Sequence, residues 1–289
     1  METKIENPAK NVFDIPKSII NTGKLLQFIS TRAAVKFAIK IFFTPIRFKT
    51  PDREKMMRKS AKMETILVPS IQKEIAVYTY GYSKKKVLLV HGWSGRGTQL
   101  YAIADKLLEN GYMVYTFDAP AHGKSPGNHT MMAEFIECIA HLESKLGSFD
   151  AAVGHSLGGM SLLYNVREGL KIKKLVTVGS GDVISDIIEM YVGRLQLKNK
   201  IAPLMKKAID KKYQVDLDDY SSNVSAKQVK IPTLIVHDTE DNDVPVSCAY
   251  DIRQNLENGE LLITNNLGHR KILRDKKVIE RISKFILED

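Results

Sequence analysis

Gly154-His155-Ser156-Leu157-Gly158 places a serine between two glycines in the pattern G-x-S-x-G. The pentad follows a short apolar run, Ala151–Val153, and opens a helical period, so the serine is expected on a sharp strand-to-helix turn. Such a turn leaves no room for a Cβ at Gly154 or Gly158, lifts the Ser156 hydroxyl clear of the sheet and aims a helix N-terminus at it. A hydroxyl used as a nucleophile needs a base, an acid that orients the base, and donors for the oxyanion that forms. The base candidate is His269, in Leu267-Gly268-His269. It is preferred to His91, His122, His129, His141, His155 and His237 because it alone follows both Ser156 and a well-placed acid. Of the loop histidines after the fourth strand, His122 and His129, a solvated role is the plainer reading. The acid is Asp241, within His237-Asp238-Thr239-Glu240-Asp241-Asn242-Asp243-Val244-Pro245, with Asp243 as the alternative in that crowded loop. A buried carboxylate there would accept from the imidazole Nδ1–H and stabilise the imidazolium. The oxyanion donors are expected to be the backbone N–H groups of Leu157, next after the nucleophile, and Trp93, in His91-Gly92-Trp93-Ser94-Gly95.

These residues need a scaffold that brings distant loops to one edge. Continuous apolar runs at 65–68, 75–80, 87–90, 112–117, 151–153, 175–178, 234–236 and 261–263 read as eight strands. From the third run onward, helical periods at 98–110, 130–146, 157–168, 246–257 and 271–287 separate them, several ending at glycine. Buried runs alternating with helices imply an α/β fold with a doubly wound, mostly parallel eight-stranded sheet and helices on both faces. Residues 182–225 interrupt the alternation after the sixth strand and read as a short helical lid over the C-terminal edge of the sheet. Residues 18–43 read as one helix ended by Pro45, with a broad apolar arc and a basic stripe, Arg32, Lys36 and Lys40. The expected division is an N-terminal basic helical extension, 1–61, and a main domain, 62–289, that includes the lid.

The 289 residues, 44% hydrophobic and 26% charged, exclude wholesale disorder and a disulfide scaffold. The formal net charge of +10 is unevenly held. Residues 1–60 sum to +8 and residues 194–212 to +6, which leaves the remainder at −4. The surplus therefore belongs to the extension and the lid. No basic-aromatic interleaving points to nucleic acid. Neither H-E-x-x-H nor C-x-x-C occurs, and Gly92–Gly97 lacks the Lys-Ser/Thr of a phosphate loop, so no metal or other cofactor is expected. Cys138 and Cys248 read as reduced thiols. A start without a signal-like apolar core, and no uncharged run near ~20 residues, point to a cytoplasmic protein.

The motifs resemble the α/β-hydrolase superfamily over about 62–289. The order Ser156, Asp241, His269 is that fold's order, and Asp118-Ala119-Pro120-Ala121-His122-Gly123-Lys124-Ser125 is similar to its D-x-x-G-H-G-x-S turn, with Ala121 in place of the first glycine. The whole chain is similar to bacterial cytoplasmic hydrolases of undefined substrate. The resemblance implies a serine hydrolase acting on a carboxylic ester of a small acyl substrate, with Ser156, Asp241, His269, Trp93 and Leu157 carried over. A short lid, unlike the large caps of lipases, argues against long-chain triglycerides. Alternatives are a thioesterase, amidase or acyltransferase on the same residues, or a non-catalytic binding protein of this fold. The arc of 18–43 is expected to pack on the main domain; its rival reading is peripheral contact with an anionic membrane at the inner surface. The sequence leaves the oligomeric state open.

Overall fold

Each central strand sends alternate side chains to opposite faces of one sheet, and helices cover both. The computed structural model describes residues 15–288. In chain order the elements are α1 (Lys17–Ile29), α2 (Thr31–Phe42), α3 (Lys55–Ser60), β1 (Lys62–Val68), β2 (Lys73–Tyr80), β3 (Lys86–Val90), α4 (Tyr101–Glu109), β4 (Met113–Asp118), α5 (Met132–Leu146) and β5 (Phe149–His155). They continue with α6 (Leu157–Arg167), β6 (Ile172–Val178), α7 (Ile184–Arg194), α8 (Ile201–Tyr213), α9 (Ser222–Ala226), β7 (Thr233–Asp238), α10 (Ser247–Asn255), β8 (Gly259–Thr264), α11 (Gly268–Lys271) and α12 (Lys276–Leu287).

The strand order is β1-β2-β4-β3-β5-β6-β7-β8. β1 and β2 pair antiparallel, as do β2 and β4, and the remaining pairs are parallel. In β3, Leu88 and Val90 face one core while Val87 and Leu89 face the other. β5 divides the same way, Ala152 against Ala151 and Val153. Because β3 lies between β4 and β5, the chain winds away from it in both directions. The loops after β3 and β5 therefore flank the crevice at the sheet's C-terminal edge. The register sets Val90 opposite Gly154, which brings His91-Gly92 beside His155-Ser156.

The stretch 18–43 is not one helix. Ser30 is extended, with φ −158° and ψ 124°, and its hydroxyl accepts from the Ala33 N–H to cap α2. The cap outweighs the continuous apolar period, and the chain turns back on itself. Gly23 of α1 abuts Phe37 of α2, seven residues to either side of Ser30, so the two helices form an antiparallel hairpin.

A third apolar cluster joins this hairpin to the lid. Ala34, Val35 and Ala38 of α2 pack with Ile188 and Val192 of α7 and with Ile201 and Met205 of α8. The Tyr191 hydroxyl donates to the Ala38 carbonyl at 3.0 Å. Ala34, Val35 and Ala38 of α2 are thus buried with the lid as their main partner, whereas Leu25 and Ile29 of the expected apolar arc are exposed and Ala33, Phe37 and Ile41 are half-buried.

Candidate active site

The glycines of the pentad are there for steric reasons. A Cβ on Gly154 would lie 2.5 Å from the Gly159 nitrogen, and one on Gly158 would lie 2.4 Å from the Val90 carbonyl oxygen. Both obstacles are backbone. Ser156 between them has φ 53° and ψ −122°, a conformation that non-glycine residues rarely adopt. Its N–H donates to the Val178 carbonyl at 2.9 Å, so β6 holds the strained turn in place.

The loops after β7 and β8 bring Asp241 and His269 together. His269 Nδ1 lies 2.6 Å from Asp241 Oδ2, and both side chains are almost wholly buried. The other oxygen, Asp241 Oδ1, accepts the N–H groups of Asp243 and Val244, each at 2.9 Å. Burial is the largest influence and pushes the Asp241 carboxyl up, but His269, the Val244 N–H and His237 together bring it below its ordinary value. Asp243 faces elsewhere, 3.4 Å from the Arg194 guanidinium. The structure therefore pairs Asp241, not Asp243, with His269.

His269 sits against the serine turn. Its carbonyl oxygen is 2.9 Å from His155 Nε2, and the two rings lie 4.5 Å apart. The ring also faces Gly179, the residue after Ser156's partner Val178. No hydrogen bond joins the Ser156 hydroxyl to the imidazole among the described residues. In substrate-free enzymes such contacts are commonly loose and tighten when substrate binds. The N–H groups of Trp93 and Leu157 have no acceptor among the described residues, and both residues line the cavity at Ser156.

Several supporting residues were not legible as such. Asp238 accepts from the N–H groups of Leu267 and Gly268, at 3.1 and 2.9 Å, and so holds the loop carrying His269. His122 is buried, not solvated: its Nε2 accepts the Ser94 N–H at 2.9 Å and fixes the loop that carries Trp93. Burial drives its pKa well below 6.5, which keeps the ring neutral and able to accept. The lone Trp93 is only half-buried and forms part of the cavity wall. Ala121 adopts φ 65°, which explains the glycine of the related motif. The strain of about 1–2 kcal/mol is offset here by a buried methyl worth ~0.8 kcal/mol and by lower unfolded-chain entropy worth about 0.4–1 kcal/mol.

The N-terminal segment reaches into this centre. The Glu54 carboxylate, 1% exposed, takes a two-pronged bond from Arg96 at 2.6 and 2.7 Å and a third from the Thr98 hydroxyl. The Ser94 hydroxyl accepts the Ile46 N–H, and Arg47 donates to the carbonyls of Ala121, Ser125 and Gly127.

Above Ser156 lies a cavity of about 410 Å³, mostly apolar, with walls from the hairpin, the main domain and the lid. Ile41, Phe42 and Phe43 come from the end of the hairpin, Met131 and Met132 from the start of α5, and Met190, Tyr191 and Tyr213 from the lid. Asp182, Asp186, Asp243 and Asp251 supply its polar part. Burial, with Asp251 and Asp186 nearby, raises Asp182 to about 6. Cys248 lines the same wall and Cys138 is buried in the core; both are free thiols. No group of three or more His, Cys, Asp or Glu among the described residues is placed to hold a metal ion.

Comparison with known proteins agrees with this architecture. A family model described as alpha/beta hydrolase fold matches residues 85–198, and one described as TAP-like protein matches residues 210–288. The AB hydrolase superfamily protein YisY of Bacillus subtilis (strain 168) is 20% identical over 247 residues, which are 68% of this chain and 90% of that protein. An esterase from Exiguobacterium antarcticum superposes with a TM-score of 0.64 at 18% identity, covering 78% of this chain and all of that one. A Pyrococcus furiosus esterase gives 0.64 at 18% identity, covering 84% and 98%. With the sheet order, the glycine-flanked serine and both matched segments, the chain is a member of the α/β-hydrolase superfamily.

Proposed function

We propose that the protein is a serine hydrolase that cleaves a carboxylic ester through an acyl-enzyme on Ser156. The observation that carries this reading is the 2.6 Å contact of Asp241 with His269 beside a serine held at φ 53°. Asp241 fixes His269 with Nδ1 protonated and Nε2 free to act as the base. His269 Nε2 takes the Ser156 proton as Oγ bonds to the acyl carbon, and the carbonyl becomes an oxyanion. The N–H groups of Trp93 and Leu157 receive it, each such donor contributing about 3–4 kcal/mol to the transition state. The imidazolium then protonates the leaving alcohol as its bond to the acyl carbon breaks. Water, deprotonated by the same nitrogen, attacks the acyl-enzyme, and Ser156 leaves with the proton to complete the cycle.

The apolar cavity favours an acyl chain over an acetyl group. Each buried methylene contributes ~0.8 kcal/mol, or about fourfold in kcat/KM, until the space is filled. Thioesters, amides and acyl transfer to another alcohol would use the same groups, and a panel of acyl donors separates them. A binding protein of this fold is the reading from another class. A fluorophosphonate probe should label the wild type at Ser156 and should not label Ser156→Ala or His269→Ala. Nitrophenyl octanoate should be cleaved faster than the acetate. An unlabelled wild type supports the binding protein, and full activity in Ser156→Ala removes the proposed nucleophile.

A further inference from the structure

The two segments that hold the surplus positive charge, 1–60 and 194–212, meet in the fold. Gln27 of α1 accepts the backbone N–H of Lys198 at 2.7 Å, and Lys24 donates to Gln196 at 2.5 Å. The tip of the α1–α2 hairpin thus lies against the start of the basic lid segment.

That tip is apolar and bare. Phe28 is 91% exposed, Ile29 68% and Leu25 60%. They share one side of α1, at positions i, i+3 and i+4. Around the tip stand Arg32 and Lys36 from α2, and Lys198 and Lys200 from the lid, all exposed. None of the four pairs with a carboxylate among the described residues.

We infer that this tip docks on an anionic lipid bilayer. Phe28, Ile29 and Leu25 enter the boundary between headgroups and acyl chains, and the ring of basic side chains meets the lipid phosphates. No helix among the described residues is long and apolar enough to cross a membrane, so the contact is peripheral. A protein partner of matching charge would need its own acidic rim around an apolar socket; a bilayer with anionic lipid offers both layers at the required depth.

The test is co-sedimentation of the full chain with vesicles of phosphatidylcholine alone and of phosphatidylcholine mixed with phosphatidylglycerol. Binding is expected to the mixed vesicles only, and to weaken as salt rises. Phe28→Ser should weaken it roughly 10-fold or more. Arg32→Ala with Lys36→Ala should weaken it about 30-fold. Melting temperatures should hold in each variant, because these side chains are exposed. Ser156→Ala should bind as well as the wild type, which separates this inference from the proposed reaction. Absent binding, equal binding to both vesicle types, or binding indifferent to these substitutions overturns it. A solution dimer that Phe28→Ser dissociates also overturns it, by assigning the tip to a second copy of the chain.

Discussion

Asp241 and Asp243 are two residues apart and chemically alike, and their partners tell them apart. Asp241 gives one oxygen to two backbone N–H groups and the other to His269, whereas Asp243 lies beside Arg194. Asp241→Asn should lower kcat by about 10³–10⁴-fold, since the amide cannot hold the imidazole in its working tautomer. Asp243→Asn should change kcat less than about tenfold. Steady-state kinetics on both variants, with melting curves alongside, decide the matter; the larger loss at Asp243 would reverse the assignment. This pair was legible in the sequence because the turn that seats Asp241 needs its next residues in place, and Val244-Pro245 marks where that turn ends. His122 was not legible. Its role depends on the Ser94 N–H, 28 residues away, and nothing in its neighbours signals that meeting.

At the scale of elements, the loop that carries Trp93 is held from outside the sheet. Glu54 lies just before α3 and pairs with Arg96 between β3 and α4, with side chains only 2% and 12% exposed. A buried pair of this kind is weak support as a pair, yet removal of one partner strands the other. Glu54→Gln should therefore destabilise the protein by about 3–5 kcal/mol in urea unfolding. It should also lower kcat more than it raises KM, because the loop carrying Trp93 would relax while the acyl cavity kept its lining. A variant that loses stability with kcat intact would confine Glu54 to a packing role. Strands and their separating helices were readable from apolar runs, since each buried strand must repeat its pattern locally. The hairpin was harder to see. Its apolar period runs on through Ser30, and one capping hydroxyl decides that the chain reverses.

Over the whole molecule, four histidines are buried in neutral form: His91, His122, His155 and His237. Burial lowers each, His91 to about 4 and His155 to about 3 with the nearby His269 charge adding to the effect. Below about 6.5 the unfolded chain takes up protons at these positions and the folded chain does not, so their contribution to stability falls as pH drops toward 4. Asp182 acts in the opposite sense. Its raised value, about 6, gives stability that is present below the ordinary carboxyl range and fades as pH rises through 6. Burial raises the Asp118 carboxyl in the same sense, so four rings act against two carboxyls, and the unfolding midpoint in urea should fall from pH 6.5 to pH 4. A flat profile over that range would mean that the rings are hydrated or charged in the folded state. The uneven charge of the chain was legible from the start, but the meeting of its two basic segments was not, because 170 residues separate Gln27 from Lys198. The hairpin has one more consequence. Ile41, Phe42 and Phe43 line the cavity above Ser156, yet the segments matched by the family models begin only at residue 85. Side chains ahead of the sheet can therefore reshape this cavity without any change to Ser156, Asp241 or His269.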